Sequence, residues 1–432
     1  MPSNAPALQP ESSPESWYEA SAIARPATVP LEGDIEADVA IVGGGFTGLS
    51  CALNLAEQGM KPVLIESRRI GYGASGRNGG QINSGMRCGP VATVERFGID
   101  DAKRMWTLTE EAKAIVRERI ERHAIEAHWR RGTLYAALGT RYRIDVDPAV
   151  ETMAKHFGYR AARHVDRREI CELLGTERYQ GGMVDMGAAH MHPLNYAIGL
   201  GHAATAAGAV IHENTRALSI DEDGHGVATE RGRVRARYTI VACNGYLGKL
   251  VPQLAPKILP IRNYIVATEP LGEERARSIN RDDLAVHDNK FVVDYYRMTH
   301  DHRLTFGGGE VYGHNDPADI KSFVRRHMLK VYPQLADVRI EYGWGGWLAL
   351  TINRLPHLGR LSRDLYFAQG YSGQGVALAG LYGKLIAEAI TGTAGRFDLF
   401  AGIAHRDFPG GAMLRHPLQI LGMLWYSLRD RL

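Results

Sequence analysis

Residues 38–66 read DVAIVGGGFTGLSCALNLAEQGMKPVLIE and decide the fold of the chain. The apolar runs 38–42 and 62–65 predict two buried strands. Between them, residues 46–58 place leucine and alanine at helical spacing. A strand, a glycine turn, a helix and a second strand form a βαβ unit, whose parallel strands lie buried between helices. The stretch therefore predicts an α/β chain that opens with a Rossmann-like domain.

The glycine turn inside this unit has the form that binds a dinucleotide. Gly43, Gly45 and Gly48 supply a GxGxxG motif between the strand and the helix. In this motif the first glycine permits the tight turn, the second admits a pyrophosphate to the backbone, and the third lets the helix pack on the strand. Glu66 ends the next strand, where a carboxylate can accept hydrogen bonds from ribose hydroxyls.

A second glycine-rich loop, GYGASGRNGGQ at residues 71–81, follows Glu66. Glycine lets the backbone approach a ligand closely because it has no Cβ atom. So many small residues in one loop indicate a backbone that passes close to a large flat ligand. The first βαβ unit alone is compatible with either NAD or FAD. The second loop favours FAD.

Periodicity predicts the other elements of the chain. Helices are predicted at residues 102–122, 148–175, 195–207 and 376–390. Strands are predicted at residues 133–138, 210–220, 234–242, 291–296, 304–307 and 365–369. Alternating apolar and polar residues across 257–335 predict an antiparallel sheet with one covered face.

These elements predict two interleaved domains. A Rossmann-like FAD-binding domain with a parallel sheet is assigned to residues 36–100, 190–250 and 340–395. An α+β substrate domain, built on the antiparallel sheet, is assigned to residues 101–189 and 251–339. Residues 1–35 are interpreted as an N-terminal leader, and residues 396–432 as a C-terminal tail. In the tail, residues 418–428 predict a helix that packs on its own domain rather than on a membrane surface.

The composition argues against several classes of partner. The chain has 432 residues, of which 45% are hydrophobic, and a net charge of +3 that is spread without a basic block. This pattern predicts no nucleic-acid partner and no attraction to an anionic membrane. No uninterrupted apolar run approaches the length of a transmembrane segment. Residues 1–20 are rich in Pro, Ser and Glu, and predict a disordered leader instead of a signal peptide.

The metal-ligating residue types do not form a metal site in the sequence. The cysteines lie far apart with no CxxC pair, at Cys51, Cys88, Cys171 and Cys243. They indicate neither a zinc site nor a disulfide framework, and a reducing cytoplasm fits them best. His190 and His192 have the HxH spacing of a strand face, but no third ligand is near in sequence, so we interpret both as structural.

Four motifs resemble those of a known family. GASGRNGGQ at residues 73–81, WGG at 344–346 and GYSGQGV at 370–376 resemble the D-amino-acid-oxidase superfamily of FAD enzymes. HMHP at 190–193, among other segments along nearly the whole chain, is most similar to the bacterial gamma-glutamylputrescine oxidases. The resemblance implies a non-covalent FAD and oxidation of an amine to an imine by hydride transfer to the flavin.

The resemblance also implies which residues hold the FAD. Gly43, Gly45 and Gly48 are expected at the pyrophosphate, and Glu66 at the adenosine ribose. The other cofactor-binding residues expected are Phe46, Thr47, Ser67, Arg68, Ala74, Ser75, Asn78, Gly79, Gly80, Gln81, Gly373, Gln374, Gly375 and Val376.

The chain departs from the superfamily pattern at three positions. Gln374 stands where many relatives have histidine, so an imidazole role is absent there. The sarcosine-oxidase branch has a flavin-linking cysteine near the position of Gly346 and an oxygen-activating lysine that aligns with Thr305. These differences disfavour covalent attachment and leave open whether oxygen or another molecule accepts the electrons.

The expected small-molecule substrate is an amine, which must lose its proton before hydride transfer. Aromatic residues can favour the neutral amine by burying it. The candidates, on segments that the family places over the flavin, are Tyr264, Tyr295, Tyr296 and Trp344. Arg262 and Arg77 are candidates to bind a substrate carboxylate through a planar fork. Because the flavin supplies the redox chemistry, no essential set of catalytic side chains is expected.

Three functions stay open at this point. The first is oxidation of gamma-glutamylputrescine or a related polyamine conjugate. The second keeps the enzyme class but changes the substrate to L-pipecolate or another secondary or cyclic amino acid. The third is a non-catalytic subunit that binds FAD for electron transfer, which the absence of lysine at Thr305 keeps open.

Overall fold

Two β-sheets organise the computed structural model, which describes residues 16–139, 142–290, 292–310 and 316–409. The strands are β1 (Ile35–Val42), β2 (Pro62–Ile65), β3 (Gln81–Ile82), β4 (Arg130–Ala137), β5 (Ala162–Val165), β6 (Gly181–His190), β7 (Val210–His212), β8 (Ala217–Ile220), β9 (Gly226–Thr229), β10 (Arg233–Val241), β11 (Leu259–Thr268), β12 (Ala285–Asp288), β13 (Tyr295–Met298), β14 (Leu304–Glu310), β15 (Ile340–Leu350), β16 (His357–Arg360) and β17 (Leu365–Gln369). The helices are α1 (Trp17–Ala20), α2 (Phe46–Glu57), α3 (Pro90–Arg122), α4 (Tyr142–Phe157), α5 (Arg167–Leu174), α6 (Pro193–Ala206), α7 (Glu273–Ile279), α8 (Ile320–Val331), α9 (Gly375–Ile390) and α10 (Gly395–Ala401).

The first sheet is the Rossmann-like sheet that the glycine motif predicts. Its strand order is β16-β17-β10-β1-β2-β7, and the neighbours from β17 to β7 run parallel. Val39 and Ile41 of β1 are fully buried, and they share a core with Leu49 of α2 and Leu381 of α9. Parallel neighbours need a crossover connection, which α2 supplies between β1 and β2. The predicted fold of this part is confirmed.

The second sheet is the predicted sheet with one helix-covered face. Its order is β15-β11-β14-β13-β12-β4-β6-β3, with β5 paired to β6. The pairs are antiparallel except for β12 with β4. Val286 and Phe306 point to the covered face, where they share a core with Val324 and Met328 of α8. The opposite face lies toward the second glycine loop, because a Cβ atom at Gly79 would lie 2.8 Å from the ring of Tyr295, whose neighbour Tyr296 points to the covered face.

Several element boundaries differ from their predictions. The helix predicted at 148–175 is two helices, α4 and α5, separated by β5, whose Ala162 and Val165 are buried against β6. The strand predicted at 210–220 is divided into β7 and β8. Helix α3 begins at Pro90 instead of residue 102, since proline fits the first turn of a helix, and it bends at Gly98, where φ is 76°. Strand β13 begins at Tyr295 instead of residue 291.

Two strands expected in the first domain belong to the second sheet. β15 lies beside β11, and β3 lies beside β6. Strand β15 follows β14 and α8, which already belong to the second sheet and its helical layer, so it adds to that sheet. The exact division of the chain into two discontinuous domains stays a prediction.

The predicted disorder of the leader is wrong for its described part. Ser16 caps helix α1 by accepting a hydrogen bond from the Glu19 amide. Trp17 and Tyr18 are buried, and the Tyr18 ring lies edge-on to Trp344 with centroids 5.2 Å apart. Two large aromatic rings therefore hold this segment, although its composition resembles that of a disordered chain.

The predicted C-terminal helix at residues 418–428 lies outside the described residues. Of the tail, α10 and the residues up to 409 are described. In the described ranges, no helix combines the length and the apolar character that crossing a bilayer requires.

The two histidines of the HxH segment bond to different parts of the chain. His190 Nε2 donates to the backbone oxygen of Asp283 at 2.7 Å. His192 Nδ1 accepts from the amide of Asn195 at 3.0 Å, and its Nε2 lies 3.1 Å from the hydroxyl of Ser21. Burial, aided by the charge of Arg297, lowers the pKa of His190 to about 3. Both imidazoles thus have structural partners.

We expect His190 to make the protein less stable in mild acid. Its pKa is lower in the folded state than the value of about 6.5 in an unfolded chain, so the unfolded state takes up a proton first as the pH falls below 6.5. Its contribution is complete above pH 6.5 and is lost between pH 6.5 and about 3, by up to about 1.4 kcal/mol per pH unit. Urea unfolding of the wild type and of His190→Gln, from pH 7.5 to pH 4.5, measures this slope.

The exposed His202 of α6 provides the matched control, His202→Gln. His190→Gln should be less stable than the wild type at pH 7.5 but should lose less free energy of unfolding on acidification. Equal slopes for the wild type and His190→Gln would contradict this assignment.

A candidate dinucleotide and substrate site between the two sheets

The first glycine turn leaves no room for side chains where β1 meets α2. Gly43 has a φ of 113°, and a Cβ atom there would lie 2.8 Å from the Ala242 carbonyl oxygen. A Cβ atom at Gly48 would overlap the carbonyl oxygen of Gly43. The start of α2 is therefore held directly against the end of β1, where its amide groups and dipole favour an anion.

Glu66 lies at the end of β2 beside this turn. Its Oε2 accepts from the Gly44 amide at 2.7 Å, and its Oε1 accepts from the Arg68 amide at 2.8 Å. Burial raises the pKa of the Glu66 carboxyl group, while these amides oppose the shift. The Ser67 hydroxyl lies 3.2 Å from Oε1. Each carboxylate oxygen can accept a further hydrogen bond, so the placement fits a ribose diol.

The second glycine loop is tied to the first. Helix α2 begins after Gly45, which has no side chain to cap it, and the hydroxyl of Ser75 accepts from the Phe46 amide at 2.9 Å. The side chain of Asn78 stays within its own loop: it donates to the Ala74 oxygen at 2.9 Å and accepts from the Gly80 amide at 2.7 Å. The two loops therefore form one unit.

The N-termini of α2 and α9 converge on this unit. Thr47 Oγ1 and Tyr371 OH share a hydrogen bond of 2.6 Å, and Ser50 Oγ donates to the Gly380 oxygen at 2.6 Å. Gln374 is the N-cap residue of α9, and Gly373 before it has a φ of 95° with open space on its Cβ side. Two helix N-termini can thus face a pyrophosphate and the electron-rich ring of a reduced flavin. The arrangement fits FAD.

The aromatic candidates divide between the two faces of the second sheet. Tyr295 points to the loop face, where a Cβ atom at Gly79 would lie 2.8 Å from its ring. Tyr296 points to the helix-covered face and stacks on Phe306 with centroids 5.3 Å apart. Tyr264 also lies on that face, and its hydroxyl donates to Asp316 at 2.8 Å. The structure therefore places Tyr264 and Tyr296 away from the loops, because successive residues of a strand face opposite ways.

Trp344 lies against the second loop, although it is buried. Its Nε1 donates to the backbone oxygen of Arg77 at 3.1 Å. The Arg77 guanidinium donates to the Tyr72 oxygen at 2.7 Å and to the Gly345 oxygen at 3.1 Å. These bonds connect the loop to β15.

Arg262 already has a carboxylate partner within the chain. Its guanidinium lies 2.6 Å from Asp316 and 5.0 Å from the ring centre of Trp347. The expectation that Arg262 binds a substrate carboxylate is not supported by this geometry.

The residue patterns did not single out Tyr135, His287 and Arg297. His287 pairs across strands with Tyr135 and with the predicted Tyr295, so all of these side chains share the loop face with Arg297. Strand register brings these residues together from segments that are far apart in the sequence. Within a single segment, only the alternation of DYYR at residues 294–297 could have placed Tyr295 and Arg297 on one face.

Arg297 is a buried cation that holds the second loop. It is 4% exposed, and its Nε donates to the Gly79 oxygen at 2.8 Å. Its other guanidinium nitrogens donate to the Met298 oxygen at 3.0 Å and the Tyr18 hydroxyl at 3.3 Å. Thr305, opposite it on β14, donates to the Arg297 oxygen at 3.0 Å. Three neutral oxygens therefore surround a positive charge beside the proposed flavin loop.

We expect Gly48→Ala to abolish retention of FAD. The added methyl group would overlap the Gly43 carbonyl, so α2 has to move away from the end of β1. The absorbance of the purified protein measures the loss of FAD, and the melting temperature measures the effect of moving α2. Gly395→Ala is the control, because a Cβ atom there meets nothing within 4 Å. Full flavin content in Gly48→Ala would contradict the placement of the pyrophosphate.

We expect Arg297→Met to weaken FAD binding by roughly 5- to 150-fold, because it leaves the buried Gly79 carbonyl without its donor. Tyr18→Phe should have a smaller effect, since the other two hydrogen bonds of the guanidinium stay. The change in affinity is measured as the dissociation constant of FAD, from the quenching of flavin fluorescence when FAD is added to the apoprotein. The control is Arg168→Met, at a side chain that is 89% exposed. Unchanged affinity in Arg297→Met would refute its role.

Comparison with known proteins agrees with the geometry. The model of the DAO family, FAD dependent oxidoreductase, matches residues 38–389. The chain is 42% identical to the gamma-glutamylputrescine oxidoreductase of Escherichia coli, over 96% of this chain and 98% of the relative. It is 40% identical to the probable oxidoreductase OrdL of Rhizobium meliloti, over 96% and 97%.

Among solved structures, glycine oxidase from Geobacillus kaustophilus shares the fold, with a TM-score of 0.70 and 21% identity over 82% of this chain and 95% of that one. The fold, the two glycine loops and the match across both sheets lead to one conclusion. The chain belongs to the DAO family and is an FAD-dependent oxidoreductase.

Proposed function

We propose that the protein oxidises the primary amine of gamma-glutamylputrescine, or of a closely related polyamine conjugate, to an imine. The observation that carries this proposal is the 42% identity with the Escherichia coli gamma-glutamylputrescine oxidoreductase over 96% of the chain. The match covers 96% of the chain, so it extends over both sheets.

The reaction removes a hydride from the carbon next to the nitrogen. FAD, when bound, supplies the two-electron acceptor for that hydride. The nitrogen lone pair stabilises the cation that hydride loss creates, so the amine has to be neutral. A second proton then leaves the nitrogen to solvent, and water hydrolyses the imine to an aldehyde and ammonia.

The charges on the loop face favour the neutral amine. Burial and the Arg87 charge lower the pKa of His287 to about 3, and burial and the Arg297 charge lower that of His190 to about 3. The same burial and positive charge would act on a substrate ammonium group. Lowering an amine pKa by about three units, from about 10.4, corresponds to roughly 4 kcal/mol.

We assign the residues as follows. Tyr295 contacts the substrate and covers the flavin loop at Gly79, while the amides at the starts of α2 and α9 hold the cofactor phosphates and flavin ring. FAD is held without a covalent bond, since glycine occupies position 346 of β15 and the chain has no cysteine in that strand. A cytoplasmic location stays a prediction.

Anaerobic reduction of the flavin tests the function. Gamma-glutamylputrescine should bleach the oxidised flavin absorbance of the purified protein, because its terminal amine can donate a hydride. Its analogue gamma-glutamyl-n-butylamine has the same shape but no terminal amine, and should leave the spectrum oxidised. Stopped-flow absorbance under nitrogen gives the rate for each compound.

Other outcomes separate the alternatives. Bleaching by L-pipecolate but not by gamma-glutamylputrescine would move the protein to the oxidation of cyclic amino acids. A flavin that no amine reduces would contradict catalysis and support an electron-transfer subunit.

A further inference from the structure

Asn263 of β11 lies on the loop face of the second sheet, next to Tyr295. The hydroxyl of Tyr295, whose ring packs on Gly79, donates to Asn263 Oδ1, so both side chains are on the same side of the sheet. On β15, Asn263 pairs with Gly346, where a Cβ atom would lie 3.2 Å from Cβ of Arg77 in the second glycine loop. Because both neighbours contact that loop, the Asn263 side chain lies between the sheet and the proposed flavin loop.

The amide of Asn263 has one end bound and one end free. Its Oδ1 accepts from the Tyr295 hydroxyl, which fixes the end of the amide that faces the ring. In the part of the chain that the structure describes, its Nδ2 donates to no acceptor. Asn263 is half-buried, and its Nδ2 is not fully enclosed by protein. The amide therefore presents two N–H donors to a ligand on the loop face.

The position of the Tyr295 ring keeps this amide in one orientation. A Cβ atom at Gly307, opposite Tyr295 on β14, would overlap the ring, and a Cβ atom at Gly79 would lie 2.8 Å from it. The ring is thus held between the sheet and the second glycine loop, with its hydroxyl at Asn263. A side chain that a packed partner orients in this way is preorganised for a particular ligand atom.

The free donors suit the acyl oxygen of an amide. A carbonyl oxygen is neutral and is satisfied by N–H donors, whereas a carboxylate in a partly buried site is stabilised best by a cation. Arg297, the buried cation described above, already donates to three oxygens of the chain. In gamma-glutamylputrescine the acyl oxygen also lies closer to the reacting amine than the carboxylate does. It is therefore the acceptor that a neighbour of Tyr295 can reach.

We propose that Asn263 donates from Nδ2 to the acyl oxygen of the substrate and so selects amines whose far end is acylated. This inference rests on the proposed function, because it assumes that the reacting amine lies at Tyr295 and the flavin loop. Asn263 is then a specificity residue, the preferred substrates are N-acylated diamines, and free diamines are poor substrates.

A pair of substrates that differ in one atom tests the proposal. Gamma-glutamylputrescine is compared with its thioamide, in which sulfur, a weaker acceptor, replaces the amide oxygen. The kcat/KM of the wild type should be roughly 3- to 10-fold higher for the oxygen compound, as one hydrogen bond contributes. Asn263→Leu should abolish this preference by lowering kcat/KM for the oxygen compound. Equal values for the two compounds in the wild type would overturn the proposal, whether or not any variant folds.

Two further variants separate the donor from its surroundings. Tyr295→Phe removes the hydrogen bond to Asn263 Oδ1 but leaves Nδ2 in place, so it should keep part of the preference. Gln253→Leu removes an amide from an exposed position and should keep all of it. FAD content and circular dichroism check that each variant folds. A loss of preference in Tyr295→Phe as large as that in Asn263→Leu would contradict the role of Nδ2.

Binding measurements distinguish the substrate from the cofactor as the ligand of Asn263. Calorimetry with the non-oxidisable gamma-glutamyl-n-butylamine should show weaker binding to Asn263→Leu than to the wild type, by about the same factor. The dissociation constant of FAD should stay the same. Weaker binding of FAD with unchanged binding of the analogue would assign the Nδ2 donors to a carbonyl oxygen of the flavin, and would overturn the proposal.

The same measurements separate this inference from the proposed function. If gamma-glutamylputrescine reduces the wild-type flavin but Asn263→Leu binds the analogue as tightly as the wild type, the acyl site is wrong and the function stands. If the analogue binds through Asn263 and no amine reduces the flavin, the function is wrong and the acyl site stands.

Discussion

The contact between Gly48 of α2 and the Gly43 carbonyl of β1 sets the geometry of the whole cofactor site. No side chain fits between them, so the helix start has one position relative to the sheet. Ser75 of the second loop bonds to that helix start, and Tyr371, ahead of α9, bonds to the next residue of the same turn. Segments from three distant parts of the sequence are thus positioned against a single turn of helix.

A carboxylate and a buried guanidinium lie on different sides of the site. The carboxylate of Glu66 lies at the end of the parallel sheet, whereas the guanidinium group of Arg297 lies on the loop face of the second sheet. Partial burial strengthens the field of each charge, since fewer water molecules screen it. Burial, aided by nearby arginine charges, lowers the pKa of His190 and of His287 to about 3, so both imidazoles are neutral. A dinucleotide with its sugar at one end and a redox-active ring at the other matches such an arrangement.

The sequence predicted those features that depend on local backbone geometry. The βαβ unit and both glycine loops follow from spacing within short segments, and the structure has them where they were expected. The faces of the second sheet were harder to predict because aromatic residues lie on both of them. Adjacent residues Tyr295 and Tyr296 are both aromatic, and only their register with β12 and β14 shows which one faces the loops. His287 meets Tyr135 and Tyr295 through pairings between distant strands, which no pattern within one segment reveals.

The order of the parallel sheet also has a consequence for biosynthesis. Strand β10 pairs with β1 on one side and with β17 on the other, although β17 is made more than a hundred residues later. Until β17 leaves the ribosome, the C-terminal part of one edge of β10, at Thr239–Val241, lacks its neighbour, and an open edge readily recruits foreign chains. The nascent protein therefore passes through a lengthy interval in which its central layer is vulnerable to aggregation, and chaperones that shield such edges should matter most for its yield.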